Sequence, residues 1–308
     1  MDSSTTMPHS AITDSAVTAK AEAVKAEPVS AMSPTNAESV KAKPAAATPA
    51  SPVSPKALLG SRLFLGCLGW ALFVGGWWFA ANADLAPERL FPGPDKVFVS
   101  LYELLAEKNF AADIWASVKR ILTSFSIAIL LAMPFGLLIG AYRPVDRLLA
   151  PLAGAFRYLP APAFIPLLLM WLGTGEAQKI ALLIIGVVFF LIIMIADVTR
   201  QVPRVYIETA RTLGLRPIQI LGSVIFRASL AGYVDVFRQL LAVSWTYLVI
   251  AEIVAATDGI GAMMMRAKRF VHVDDIMAGI LVIGLLGLLF DALFKALHRG
   301  AFRYLQPK

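Results

Sequence analysis

Residues 206–227 read YIETARTLGLRPIQILGSVIFR, a polar and basic segment set between two long apolar runs. The run before it, 179–198 (KIALLIIGVVFFLIIMIADV), can cross a bilayer core at about 1.5 Å per helical residue, and a second run follows it and ends near residue 256. The segment therefore sits at a membrane surface. Arg200, Arg204, Arg211, Arg216 and Arg227 crowd around it, and short loops rich in Lys and Arg stay on the cytoplasmic side, so it faces the cytosol.

Locally the segment reads as a short helix, a turn and a second helix. Pro203 suits a first helical turn, Glu208 sits early enough for the helix dipole to favour its charge, and Gly214 is a C-terminal stop. Arg216 and Pro217 then begin the next helix. The order Glu208-Thr209-Ala210, three residues, Gly214, nine residues, Val224-Ile225-Phe226 resembles the EAA loop of ABC importer permeases: Glu-Ala-Ala, three residues, Gly, nine residues, Ile, any residue, Leu-Pro. Thr209 replaces the second-position Ala, and Arg227 stands where the pattern has Pro. The resemblance implies a coupling helix that docks on a separate ATPase subunit, with Glu208, Thr209, Ala210 and Gly214 as its coupling residues. An ordinary basic cytoplasmic loop is the plainer reading of the same residues.

Of the 308 residues, 58% are apolar and 16% charged, and mean hydropathy is +0.70, which places the chain among polytopic membrane proteins. The net charge of +7 follows from cytoplasmic loop bias rather than from nucleic-acid binding, because bases and aromatics are not interleaved on any soluble domain. Cys67, the single cysteine, lies in an apolar run and has no partner for an internal disulfide. Residues 1–56 are rich in Ala, Ser, Thr, Pro, Lys and Glu without an aromatic residue, and are expected to form a disordered cytoplasmic tail ahead of a permease domain at 57–308.

Hydropathy gives six spans, near 62–82, 120–141, 148–171, 179–198, 232–256 and 276–296, with the coupling loop at 200–227. The expected fold is all-α, a polytopic helical bundle. With the N-terminus inside, cytoplasmic stretches hold thirteen Lys and Arg residues against seven outside, so both termini are expected in the cytoplasm. The first outer loop carries FPGPDKVFVSLYELLAEKNF, a Pro-Gly turn and an amphipathic helix with Val97, Leu101, Leu104 and Leu105 on one side, expected to lie along the outer membrane surface. That loop, together with the segments 157–183, 242–264 and 274–297, resembles the permeases of nitrate, sulfonate, taurine and bicarbonate importers over residue 60 to the end.

The third span contains Pro151, Pro160, Pro162 and Pro166, and each proline removes a backbone donor and bends a helix. Pro160 and Pro162 are thus candidates for a broken helix lining a translocation path, with a plain packing kink as the alternative. In the fifth span Arg238, Trp245 and Glu252 recur every seven residues, with Asp235 on the same stripe. Arg238 could attract an oxyanion, with Ser244, Trp245 and Tyr247 deeper in the path and Glu252 near the outer end; interface anchoring or an internal ion pair explains the same charges. Gly136 and Gly140 form a GxxxG pair in the second span, and Gly279, Gly284 and Gly287 recur in the sixth, spacing that lets backbones approach. In the outer loop at 266–275 the His and two Asp lack a third well-spaced ligand, so no metal site is expected and contact with an external partner is the better reading.

The sequence contains no GxxxxGK[ST] phosphate loop, so ATP would have to be bound by another polypeptide. By resemblance the chain is the membrane subunit of a type I ABC importer in the bacterial inner membrane. Implied partners are two ATPase subunits, an extracytoplasmic substrate-binding protein, a second permease copy and membrane lipid. The chain itself would hold no cofactor and carry out no covalent chemistry. Nitrate, bicarbonate and taurine or other sulfonates are the implied cargo, with a thiamine-precursor pyrimidine as the alternative. Two rival classes are an ion-coupled secondary transporter, for which neither an inverted repeat nor a central carboxylate is found, and a structural subunit of some membrane complex.

Overall fold

The computed structural model describes residues 55–83, 87, 89–255 and 257–302. The chain divides at Leu58/Leu59, and the helical bundle belongs to the second unit, Leu59–Lys308. The tail expected to be disordered, apart from the first residues of α1, lies outside the described residues.

The elements are helical throughout the described residues: α1 (Pro55–Asn82), α2 (Pro94–Ala106), α3 (Phe110–Ala141), α4 (Arg143–Phe156), a 3-10 turn (Ala161–Phe164), α5 (Ile165–Leu172), α6 (Glu176–Arg200), α7 (Arg204–Thr212), the single turn α8 (Pro217–Gln219), a π-helical turn (Ile220–Ile225), α9 (Phe226–Ala255), α10 (Ile260–Arg269) and α11 (Val273–Ala301). Among the described residues five helices are long and apolar enough to cross a membrane: Phe64–Asn82 of α1, then α3, α6, α8 running through α9, and α11. The α4–α5 pair makes a sixth crossing if taken as one bent span.

In a bilayer the lipid is as apolar as leucine, so helix association depends on close packing rather than on escape from water. The sequence supplies this on α3, where Ser124, Ala128, Ala132, Gly136 and Gly140 recur every four residues and form a ladder of small side chains. A Cβ added at Gly136 would lie 2.7 Å from Ile195 Cβ, and one at Gly140 would overlap Thr199, so the expected GxxxG contact exists and its partner is α6. The central helix, α6, buries Leu182, Leu183, Val187, Leu191 and Ile195 against α3 on one side and against Tyr233, Leu240, Leu241 and Leu248 of α9 on the other. The hydroxyls of Thr199 and Tyr233 meet at 2.7 Å across the α6–α9 seam. Of Gly279, Gly284 and Gly287 in the sixth span, Gly279 is the close approach, since a Cβ added there would lie 3.0 Å from Met263 Cε; Gly284 and Gly287 face open space.

Three expectations change in detail. The second span begins at Phe110 rather than near 120, because the polar start of α3 continues the same helix beyond the apolar stretch. The third span is two helices meeting at 81°, α4 with Pro151 inside it and α5 with Pro166 in its first turn, separated by a link that contains Pro160 and Pro162. Helix α2 packs on α11 through Val97 and Leu104, whereas Leu105 is exposed. No residue of the apolar stretch Phe64–Asn82 is buried in the chain.

Candidate functional site

Helix α7 is nine residues long, with Pro203 as its N-cap. Glu208 is its fifth residue, mid-helix and exposed, so the dipole expected to favour its charge acts from further away than the sequence reading held. Ala210 is 5% exposed and packs with Val202, Ile220, Leu221 and Ile225 beneath Leu137, Ala141 and Tyr142 at the end of α3. The helix closes through paired bonds, Gly214 N to Arg211 O at 2.9 Å and Leu215 N to Ala210 O at 3.1 Å, with Gly214 at φ 80°. This Schellman geometry needs the left-handed conformation that glycine adopts without steric cost. Thr209 bonds back to Val205 O at 2.8 Å and stays exposed. Val205, Tyr206, Leu213 and Ile218 point outward, an apolar face with Glu208 among them. The inner side of α7 is therefore fastened to α3 and to the π-helical turn that leads into α9, while the outer side is open.

At the opposite end of the bundle, side chains far apart in sequence converge. The Arg120 guanidinium of α3, 3% exposed, donates to Glu252 of α9, to Glu176 of α6 at 2.7 and 2.8 Å, and to Asp258 at 3.2 Å. Lys179 donates to Glu176 at 2.6 Å. The Glu252 carboxylate also receives Ser117 Oγ at 2.7 Å and Gly261 N at 2.8 Å. Ile260 N donates to Ser117 Oγ at 2.9 Å and Gly259 N to Asp113 Oδ1 at 2.8 Å. The first-turn N–H groups of α10, which have no intrahelical acceptor, are thus satisfied by three side chains from α3 and α9. The cluster fastens α3, α6, α9 and α10 at one level. Its acidic side chains are engaged by Arg, Lys and backbone donors, and among the described residues no three His, Cys, Asp or Glu side chains gather as a metal ion would need.

The candidate path residues do not meet at one point. Arg238 lies near the middle of α9, 3.5 Å from Asp291 of α11 and beside Asp235. Trp245 lines a groove between α9 and α11 with Thr246, Ile250, Gly284 and Gly287, and its buried indole N–H has no acceptor among the described residues. Ser244 is buried and donates to Leu240 O of its own helix at 2.8 Å. Tyr247 packs its ring on Gly186 of α6. Glu252 is enclosed in the Arg120 cluster, the internal ion pair that stands as the alternative to path lining. Pro160 is exposed and Pro162 half-buried at the α4–α5 break.

The described residues form an all-α bundle with several helices long and apolar enough to cross a membrane, the architecture of a polytopic membrane protein. Residues 132–303 match the family described as the binding-protein-dependent transport system inner membrane component, and the chain belongs to that family. It is 32% identical to the taurine transport system permease protein TauC of Escherichia coli over 242 residues, 77% of this chain and 87% of that one. It is also 32% identical over 238 residues, 76% of this chain and 90% of the other, to Escherichia coli SsuC, named provisionally as an aliphatic sulfonates transport permease. Among solved structures, an inward-facing form of the MetNI methionine ABC transporter aligns with TM-score 0.58 at 20% identity, covering 62% of this chain and 95% of that one, which shows a shared fold. The chain is an ABC importer permease subunit and not itself an enzyme, and its family implies an ATPase partner and a substrate-binding protein.

Proposed function

We propose that this permease moves a small organic sulfonate of the taurine type across the inner membrane, and that α7 is the element through which a separate ATPase drives it. One observation carries the coupling reading: α7 presents Glu208 within an exposed apolar face while Ala210 on its other side is locked to the end of α3 and the turn into α9. A push on that face would be delivered to both helices together, as a rigid-body exchange between two states requires. Two copies of the chain would share the path, one α7 for each of two ATPase subunits, with both termini in the cytoplasm.

The likeness to TauC and SsuC favours the sulfonate among the anions. The groove beside Trp245 supports a path along α9, since a buried indole N–H without an acceptor is a donor an oxyanion could use. Arg238, near the middle of the same helix, would draw the anion onward. Pro160, Pro162, Ser244, Tyr247 and Glu252 complete the proposed path, the last three by holding the shape of α9 rather than by meeting the solute.

The test is ATP-dependent uptake of radiolabelled taurine in cells lacking their own sulfonate permeases and supplied with this chain, its ATPase and its binding protein. Uptake abolished by Glu208→Lys, with the protein still in the membrane, supports the proposal. Uptake that persists without any ATPase refutes the coupling, and uptake of nitrate or bicarbonate in place of taurine refutes the cargo alone.

A further inference from the structure

Helix α4 runs antiparallel to α6 and stops halfway along it. Asp146, in the first turn of α4, pairs with Arg200, the last residue of α6, and Phe156, the last residue of α4, stacks on Phe189 with ring centroids 5.0 Å apart. At 1.5 Å per residue Phe189 stands about 20 Å from one end of α6 and about 16 Å from the other, so α4 ends near mid-membrane. The next residue is Arg157. Ala153 before it and Ala161 after it are buried in the core, which holds the break in place on both sides.

Arg120, Arg200 and Arg238 each face carboxylates of the chain. Arg157 faces none among the described residues: one N–H donates to the Tyr158 hydroxyl at 3.1 Å, and the guanidinium lies 5.0 Å from the centre of that ring. Because the phenol oxygen accepts this bond, its own proton is free to donate outward beside the remaining guanidinium N–H groups. Arg157 is half-buried and Tyr158 is 77% exposed. A charge at such depth faces a bundle interior or water rather than lipid, and irregular backbone inside a membrane is tolerated only where it is covered by protein or lines a wet cavity. Between Arg147 and Gly175 the sequence has no Asp or Glu. A second copy meeting this face across a two-fold axis would therefore set arginine against arginine, with no acid to balance either. The counter-charge that fits is a mobile anion.

We propose that Arg157 and Tyr158 form a mid-membrane site for the transported sulfonate, the guanidinium fork taking two of its oxygens and the phenol the third. This rests on the sulfonate reading above and adds the contact that holds the solute halfway. The test uses the complete transporter, with its ATPase and binding protein, in proteoliposomes, in a chain where Cys67→Ser removes the native thiol. Arg157→Cys is expected to lower ATP-dependent uptake of radiolabelled taurine roughly tenfold or more. Reaction with 2-aminoethyl methanethiosulfonate puts an ammonium back at position 157 and is expected to raise uptake again, whereas the 2-sulfonatoethyl reagent puts an anion there and is expected to leave it low. Arg157→Lys should keep more uptake than Arg157→Gln, and Tyr158→Phe should lose less than either. Parent-level uptake in Arg157→Gln overturns the inference, as does a thiol at 157 that neither reagent reaches, a cationic adduct that raises nothing, or equal recovery with both reagents. Arg157→Lys and Arg157→Gln complexes that come apart in size-exclusion chromatography make the arginine an assembly contact and overturn it too. A parent transporter that takes up no taurine defeats the sulfonate reading itself, and that result is seen before any variant is made.

Discussion

Replacing Glu252 by Ala removes one acceptor from three donors at once. The carboxylate is 1% exposed and takes Ser117 Oγ at 2.7 Å, Gly261 N at 2.8 Å and the Arg120 guanidinium. After truncation Arg120 keeps Glu176 and Asp258, and Ser117 keeps its bond from Ile260 N, so the principal losses are a charge-assisted pair and a buried backbone N–H left without an acceptor. The first is worth about 1.5–3 kcal/mol and the second about 1–3 kcal/mol, so the expected destabilisation is about 3–5 kcal/mol, the range seen when one partner of a buried ion pair is removed. Arg120→Met should cost a similar amount, because it leaves the buried Glu252 carboxyl with only neutral donors, Ser117 Oγ and Gly261 N. Combining Glu252→Ala with Arg120→Met removes both charges together and should fall short of the sum of the single changes by about 2 kcal/mol or more. Denaturant titration of the purified protein in mixed micelles measures all three. A Glu252→Ala protein within about 1 kcal/mol of the parent, or single and double changes that simply add, refutes the reasoning.

Other outcomes follow from the same geometry. Gly214→Val puts a β-branched residue at φ 80° and should cost about 1–2 kcal/mol locally, with ATPase association and uptake falling together while the protein stays in the membrane; pull-down and transport assays check it. Gly136→Leu drives a side chain into Ile195 and the Ile192 carbonyl on α6, which should destabilise by about 1–3 kcal/mol or more and lower the yield of folded protein in size-exclusion profiles. Tyr233→Phe removes the hydroxyl contact with Thr199 and should cost about 1 kcal/mol in the same titration with transport retained, since Thr199 still bonds Ile195 O at 2.7 Å.

Much of this molecule could be read before its structure because membrane chains write their layout in local composition. The α7 turn announced itself as a polar interruption ended by Gly214, and the Gly136–Gly140 pair correctly marked a close helix crossing, since glycine spacing on one helix is a local property. The prolines at 151, 160, 162 and 166 predicted a broken third span, though not its 81° bend, which depends on what α6 offers for the two halves to pack against. The Arg120–Glu252 cluster was hidden for a different reason. Arg120 and Glu252 are 132 residues apart and each looked like a residue at the edge of its span, and only the packing of α3 beside α9 makes them partners. Helix α10 was missed because its apolar content is low and its N-terminus is capped entirely by side chains from other helices. The stripe drawn through Arg238, Trp245 and Glu252 was correct in helical phase, but one helix crosses several environments, and its two ends serve different neighbours.

The central claim is that α7 is the cytoplasmic contact for a nucleotide hydrolase. Its most direct test is crosslinking from Glu208→Cys, in a chain where Cys67→Ser removes the native thiol, using a short bifunctional maleimide on inside-out membrane vesicles containing the assembled transporter. The account predicts a covalent adduct between this chain and its ATPase, formed in inside-out vesicles and absent from right-side-out ones. A thiol at position 208 that reacts only from the extracytoplasmic face, or one that reacts from the cytoplasm and never captures the hydrolase, contradicts it.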